Sequence, residues 1–133
     1  MLVLVDTSVW IDLLGKARAH RVEGEQLLAL ATCPPIIQEV LQGVRAEPAR
    51  ERLRISLLAL PRLGDPLGLE TYLRAADLYS SARRKGLTVR SSIDCLIAAI
   101  ALEHRVAVWH ADRDFEVLAR FTELRTITGR SPT

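Results

Sequence analysis

The apolar positions of the chain fall into short unbroken aliphatic runs and longer stretches with helical periodicity. Residues 2–5 are a run of aliphatic and β-branched side chains and residues 106–109 are a second apolar run, which predict strands buried on both faces. Residues 124–128 predict a last short strand, and Leu63 marks a further candidate strand. Helical stretches separate these strands, so the order of elements predicts an α/β domain with a mainly parallel sheet flanked by helices.

Several segments have the periodicity or the boundary residues of helices. Gly15, Gly43 and Gly86 mark three helix ends, and prolines or cap residues mark several starts. The strongest pattern lies in residues 92–104, where apolar side chains form a wide face. The predicted helices, the first of them capped by Ser8, cover residues 8–14, 22–31, 36–42, 49–60, 69–85, 92–104 and 115–121. Residues 129–133 are predicted to be a frayed tail.

The chain length of 133 residues predicts one domain that spans residues 1–133. Hydrophobic residues make up 49% and charged residues 26%, the usual balance of a globular protein. No apolar run approaches the roughly 20 residues that a bilayer-spanning helix needs, and the first residues lack the basic region of a signal peptide. Cys33 and Cys95 have no metal-site spacing and are expected in the core, which fits a reducing cytoplasm.

Three aspartates follow the two strongest predicted strands. Asp6 comes directly after residues 2–5, and Asp112 and Asp114 come after residues 106–109. The carboxyl ends of parallel strands meet at one edge of a sheet, where sites form in open α/β folds. The alternative is that each aspartate only stabilises a turn or a helix start, with Asp114 as the cap of the helix over residues 115–121.

Two further acids occupy predicted helices that are otherwise apolar. Asp94 lies in the first turn of the helix over residues 92–104, where Ser91 and Asp94 resemble a capping box. The residues below it on the same face are apolar, so its carboxylate is expected at the rim of a buried surface. Glu39 lies in the short apolar helix over residues 36–42. It either occupies the one solvated side of that helix or points into a polar site.

Together these acids form a pattern that resembles the PIN-domain nucleases, and most closely the VapC toxins of bacterial toxin–antitoxin pairs. The resemblance covers nearly the whole chain, with the motifs in the order and at the spacing of that family. It implies a three-layer PIN-like fold. The matching segments are Asp6-Thr-Ser-Val-Trp-Ile-Asp12, Glu39-Val-Leu-Gln-Gly43, Asp94-Cys-Leu-Ile-Ala-Ala99 and His110-Ala-Asp-Arg-Asp-Phe115.

The resemblance also implies which residues form the site. Ser8 matches a small hydroxyl residue that orders the site, and Asp114 matches an assisting acid. The residues that match the ligands of one or two divalent ions are Asp6, Glu39, Asp94 and Asp112. His110 departs from the family, because many members have Thr or Ser at that position. The histidine can contact a phosphate, donate a proton, or serve as a non-catalytic loop residue.

Charge balance gives a physical reason for such a cluster. Two carboxylates about 4 Å apart repel by roughly 4 kcal/mol at an effective dielectric constant near 20. Four of them therefore need a cation or bound protons. All-oxygen ligands favour Mg²⁺ or Mn²⁺ over zinc. A bound ion lowers the pKa of water and stabilises the phosphate, so we expect in-line attack by water that leaves a 5′-phosphate and a 3′-hydroxyl.

The remaining charges suit a polyanionic substrate. With the five site carboxylates set aside, 11 acidic residues remain against 18 basic ones. Arg90 and Arg113 adjoin site residues and are the best candidates for phosphate contacts. The basic residues 83–85 also flank the site in sequence, but the dipole at a helix end explains them better than a contact with RNA does. Trp10 and Trp109 lie in apolar runs and are expected in the core.

The resemblance implies an endoribonuclease toxin that cleaves structured RNA, either tRNA or rRNA. It also implies that the toxin forms a homodimer and binds a cognate VapB-type antitoxin. One alternative is a catalytically idle PIN-fold module, which the complete acid set disfavours. A receiver domain or related phosphatase needs a lysine after a late strand, and neither Lys16 nor Lys85 fits. A DNA-directed flap nuclease needs long insertions, for which this chain has no room.

Overall fold

The computed structural model describes residues 1–15 and 19–133 and contains one central sheet. All the strand pairs of this sheet are parallel, and the strand order is β2-β1-β3-β4. The strands are β1 Val3–Val5, β2 Leu30–Ala31, β3 Ala107–Trp109 and β4 Thr126–Ile127. The prediction of an α/β domain with a parallel sheet is therefore confirmed.

Helices connect the strands and cover the sheet. The helices are α1 Thr7–Leu14, a 3₁₀ helix Gly24–Ala29, α2 Pro34–Gln42, α3 Glu47–Ala59, α4 Leu69–Arg84, α5 Ser92–His104 and α6 Arg113–Ala119. None of the helices in residues 1–15 and 19–133 is long and apolar enough to span a membrane. Lys16 lies outside the described residues.

The two faces of the sheet bury different sets of side chains. Val3 and Val5 in β1 pack with Val9 of α1 on one face. Leu4, which lies between them, points to the opposite face and packs with residues of α2 to α6. Alternate side chains of a strand point to opposite faces, so β1 is apolar throughout because both faces are covered. The result is a three-layer arrangement of helices, sheet and helices.

Helix α5 is the most deeply buried helix on the face of the sheet to which Leu4 points. Its residues from Asp94 to Ala101 are all buried, and it packs along α4 and against β3. A helix that is apolar on every side is stable only inside the protein. Burial of α5 therefore holds its first turn, which contains Asp94, in a fixed position.

The predicted helix over residues 22–31 is wrong in its length and in its type. The structure has the 3₁₀ helix Gly24–Ala29 followed by β2, whose residues pair with Val3 and Leu4 of β1. Leu28 of the 3₁₀ helix is 81% exposed, so the leucine-rich pattern here does not mark a buried helical face. Pairing with the central strand has overridden local helix propensity.

Two smaller predictions also need correction. Instead of a strand around Leu63, the described part of that segment has a single parallel bridge between Thr32 and Arg62. The tail over residues 129–133 is not frayed. The indole N–H of Trp109 donates to the carbonyl of Gly129 at 2.9 Å, and Pro132 is buried. Cys33 and Cys95 are buried and form no disulfide, as predicted.

Candidate active site

Asp6 begins the site directly after β1. It adopts an extended backbone conformation and caps α1, and its Oδ2 accepts hydrogen bonds from the N–H of Ser8 at 3.1 Å and from its hydroxyl at 2.6 Å. The prediction that Ser8 caps this helix is therefore wrong by two residues. The Ser8 hydroxyl also accepts a hydrogen bond from the N–H of Ala111 at 2.9 Å. Ser8 thus joins the end of β1 to the loop after β3.

Asp112 and Asp114 lie at the start of α6. Asp112 is the cap of this helix, because its Oδ1 accepts a hydrogen bond from the N–H of Asp114 at 2.9 Å. Asp114 is not the cap, contrary to the structural alternative. Its buried carboxylate accepts hydrogen bonds from the N–H of Arg90 at 3.1 Å and from the N–H of Ser91 at 3.0 Å. Asp114 therefore holds the segment that leads into α5.

Asp94 lies in the first turn of α5. The hydroxyl of Ser91 accepts a hydrogen bond from the N–H of Asp94 at 3.4 Å, so Ser91 is the cap that the sequence predicted. One carboxylate oxygen each of Asp94, Asp112 and Asp114 lie within 4.8 Å of one another. Packing has therefore brought together acids from two distant segments of the chain.

Glu39 of α2 is connected to the same region by a residue that the sequence reasoning missed. The hydroxyl of Thr7 donates a hydrogen bond to Oε1 of Glu39 at 2.9 Å. Burial and the charges of Asp6 and Asp112 raise the pKa of Glu39 above its ordinary value. The only signal for Thr7 in the sequence is its position beside Asp6. No sequence pattern connects Thr7 with Glu39, which lies in α2.

The carboxylates of the site oppose one another's ionisation. The pKa of Asp94 is raised to about 9, first by burial, then by a hydrogen-bonding contact with the Asp114 carboxyl, and then by the charges of Asp6 and Asp112. Burial also raises the pKa of Asp6. Without a cation, a site of this kind keeps protons that exposed aspartates release.

Among the described residues, the acids of the site also have few of the partners that usually balance buried charge. Across residues 1–15 and 19–133, no salt bridge involves Asp6, Glu39, Asp94, Asp112 or Asp114. Oδ1 of Asp6 and Oδ2 of Asp94 are buried, and neither has a hydrogen-bond partner in that part of the chain. Buried carboxylate oxygens without partners are costly. An oxygen-only set of this kind fits a hard divalent cation.

The other predicted site residues divide by exposure. Arg90 and Arg113 are exposed. His110 is only 1% exposed, with hydrogen-bonding contacts at both ring nitrogens, so neither nitrogen is available to a phosphate. Trp109 is fully buried, as predicted, and Trp10 is partly buried against the core.

A scan against protein-family models matches the PIN domain over residues 3–121. Ribonuclease VapC11 of Mycobacterium tuberculosis is 35% identical over 135 residues, which covers 97% of this chain and 100% of the relative. In VapBC2 from Rickettsia felis, solved bound to a DNA fragment from its promoter, the matched chain has a TM-score of 0.76 at 18% identity. That match covers 96% of this chain and 98% of the other.

A third match is VapC20 of M. tuberculosis, described as a toxin that cleaves the sarcin-ricin loop. Its TM-score is 0.60 at 20% identity, and the match covers 92% of this chain and 98% of the other. The two structural matches support the fold, whereas the family match and the 35% relative cover almost the whole chain. The chain therefore belongs to the PIN-domain family and, within it, to the VapC group.

Proposed function

We propose that this protein is a metal-dependent endoribonuclease and the toxin of a type II toxin–antitoxin pair. The observation that carries the proposal is the pair of buried carboxylate oxygens, one on Asp6 and one on Asp94, without partners in the described chain. They lie in a group of acids that no basic side chain neutralises there. This arrangement is costly unless a cation completes it, and the chain's relatives include proteins named ribonucleases.

The proposed ligands are Asp6, Glu39, Asp94 and Asp112, with Asp114 assisting. Mg²⁺ is the expected ion, and Mn²⁺ is the alternative with the same preference for oxygen ligands. When bound, the ion supplies a nucleophilic water near neutral pH and stabilises charge on the phosphate. The proposed products have a 5′-phosphate and a 3′-hydroxyl.

The remaining residues of the site position the ligands and the RNA. Ser8 orients the Asp6 carboxylate through its hydroxyl, and Thr7 orients Glu39 in the same way. Arg90 and Arg113 are proposed to bind backbone phosphates, because both residues are exposed, Arg113 lies between Asp112 and Asp114 in the chain, and the backbone of Arg90 contacts Asp114. The phosphate contacts would hold the strand over the carboxylates, which alone would repel it.

The proposed substrate is a structured RNA, either ribosomal or transfer RNA. The sarcin-ricin loop cleavage described for VapC20 supports a ribosomal target. The VapBC complexes among the structural matches support a cognate VapB-type antitoxin as partner. A homodimer and a cytoplasmic location complete the proposal.

The test is cleavage of total bacterial RNA by the purified, antitoxin-free protein with MgCl₂, with MnCl₂ and with EDTA. Discrete cuts are expected with either metal, and they should vanish with EDTA and in Asp94→Asn. Asp77→Asn, at an exposed position of α4, is the matched control and should cleave normally. Mapped ends that carry 2′,3′-cyclic phosphate would contradict the mechanism. No cleavage by the folded protein would favour an idle PIN-fold module.

The role of Arg90 has a separate test in the Asp94→Asn background, where RNA is expected to remain intact. Arg90→Ala should weaken RNA binding. It should also reduce the slope of the logarithm of the RNA association constant against the logarithm of the salt concentration by about one, the value expected for one phosphate contact. Binding of Mn²⁺ is measured on the single variant Arg90→Ala, in which Asp94 is unchanged. It should equal that of the parent, because Arg90 contacts Asp114 through its backbone N–H, which the substitution keeps. Arg120→Ala is the exposed control. Equal RNA affinities for Arg90→Ala and its parent would remove Arg90 from the substrate surface.

A further inference from the structure

His110 lies directly after β3 and forms two side-chain contacts. Its Nδ1 accepts a hydrogen bond from the N–H of Asp112 at 3.1 Å. Its Nε2 lies 2.9 Å from Oε1 of Glu116, one turn into α6. With only 1% of its surface exposed, the ring lies beneath the loop that carries Asp112.

These two contacts select one form of the imidazole ring. A backbone N–H can only donate, so Nδ1 must present a lone pair to Asp112 and the proton must be on Nε2. That nitrogen faces a carboxylate, which can only accept when it is ionised. The Thr126 hydroxyl, and then His110 itself, hold the pKa of Glu116 below its ordinary value against the opposing effect of burial. Both neighbours therefore favour the Nε2–H tautomer.

The Nδ1 contact has the geometry of a familiar local turn. Asn and Asp side chains often accept a hydrogen bond from the N–H two residues later, through an oxygen attached to Cγ. In His110 the nitrogen attached to Cγ accepts from Asp112 in the same way. Asp112 then repeats the pattern with Asp114, whose carboxylate binds the N–H groups of Arg90 and Ser91.

A continuous series of hydrogen bonds therefore runs from Glu116 through His110 to both aspartates and on to the start of α5. Asp112 is only partly buried, unlike Asp94 and Asp114, and its backbone N–H donates a hydrogen bond to the His110 ring. A shift of this peptide would rotate the Asp112 carboxylate away from Asp94. Partners that orient metal ligands typically change metal affinity or activity by roughly 10-fold to 100-fold when they are removed.

We propose that His110, held as the Nε2–H tautomer by Glu116, is a positioning residue that fixes the direction of the Asp112 carboxylate in the metal site. The inference rests on the proposed function, since it assumes that Asp112 binds a divalent ion. His110 itself touches neither the ion nor the RNA.

A purely space-filling role makes a different prediction. The ring lies against Phe115, with centroids 5.1 Å apart and planes inclined at 46°. If this packing were the whole role, an apolar side chain of similar size would replace the histidine. If the Nδ1 acceptor matters, a smaller side chain that keeps an acceptor on Cγ would replace it better.

The test compares His110→Asn, which keeps the acceptor, with His110→Leu, which keeps apolar volume. Mn²⁺ binding is measured by calorimetry on the RNA-free protein, with thermal unfolding in EDTA as the measure of fold. His110→Leu should bind Mn²⁺ at least about 10-fold more weakly than the parent, and His110→Asn should stay within about threefold. His104→Asn, at the exposed end of α5, is the control.

The second readout is the ¹⁵N spectrum of the histidine rings in the metal-free parent. Loss of the His110 resonances in His110→Asn assigns them, and they should show the proton on Nε2. A proton on Nδ1 overturns the inference, as does Mn²⁺ affinity in His110→Leu equal to or better than that of His110→Asn.

Failure of the proposed function gives a different pattern. If the parent binds Mn²⁺ and the two variants differ as expected, but no RNA is cut, the positioning role stands and the nuclease proposal falls. If the folded parent does not bind Mn²⁺, both are overturned.

Discussion

The acids of the site form two pairs that the protein holds in different ways. Asp112 and Asp114, the braced pair, each accept hydrogen bonds from backbone N–H groups. Asp6 and Asp94, the open pair, each have one buried oxygen with no partner in residues 1–15 and 19–133. The braced pair completes the local fold. In the open pair, part of the hydrogen-bonding and charge capacity is left without a partner among the described residues.

This difference separates the stability of the protein from its proposed chemistry. Backbone hydrogen bonds repay part of the cost of burying the carboxylates of the braced pair. In the open pair, Asp6 also accepts hydrogen bonds from Ser8, but each member has one buried oxygen without a partner in the described residues, and the pKa values of both are raised. Residues that reduce stability in the absence of a ligand are typical of functional sites. Replacement of the acid by asparagine should therefore have opposite effects on stability at Asp94 and at Asp114.

Asp94→Asn should have the largest effect. We expect RNA cleavage to fall by about a thousand-fold or more, because a bound metal supplies several kcal/mol of transition-state stabilisation. The same variant should be more stable than its parent by roughly 1–2 kcal/mol at pH 8 in EDTA, since a neutral amide replaces a buried acid. Cleavage rates and urea unfolding measure the two effects, with Asp77→Asn as control. A variant that is both inactive and less stable would remove Asp94 from the open pair.

Asp114→Ala should reduce stability instead. Removal of the Asp114 carboxylate leaves the backbone N–H groups of Arg90 and Ser91 without their acceptor. The free energy of unfolding should therefore fall by about 2 kcal/mol. Asp114→Asn keeps one acceptor oxygen and should lose less. Urea unfolding in EDTA is the measurement. If Asp114→Ala is as stable as the parent, the distinction between the two pairs is wrong.

The pH dependence of stability should identify the open pair without any RNA. Between the ordinary aspartate pKa of 3.8 and about 9, the folded protein keeps a proton on Asp94 that the unfolded chain has released. Raising the pH in this window therefore favours unfolding, by at most about 1.4 kcal/mol per pH unit from this group. Denaturation in EDTA at several pH values should show this slope. Asp94→Asn should reduce it, and equal slopes in parent and variant would contradict the assignment.

Ser8→Ala should have the smallest effect, because it removes a connection between the pairs rather than a ligand. The Ser8 hydroxyl donates to Asp6 and accepts from the N–H of Ala111. We expect a loss of about 1 kcal/mol in stability and about 10-fold in Mn²⁺ affinity. Ser80→Ala, at an exposed position of α4, is the matched control. Unchanged Mn²⁺ affinity in Ser8→Ala would show that Asp6 needs no such support.

Sequence patterns were most informative where local rules decide the outcome. The apolar face of α5, its cap Ser91 and the buried runs of β1 and β3 were all predicted, because periodicity and capping depend on neighbouring residues. The same rules failed for residues 22–31, where local propensity favoured a helix. There, pairing of β2 with β1 decided the structure, and strand pairing depends on residues far away in the chain.

The sequence by itself determined the fold class, the family and the positions of the acids, because these depend on residue order and spacing. Only the tertiary structure decided what each acid contacts. Thr7 and Glu39 are 32 residues apart, and Ser8 and Ala111 are 103 residues apart. Such contacts form when strands pair and α5 is buried, so no local pattern records them. The division into a braced pair and an open pair is therefore a property of packing, although every residue in it was visible in the sequence.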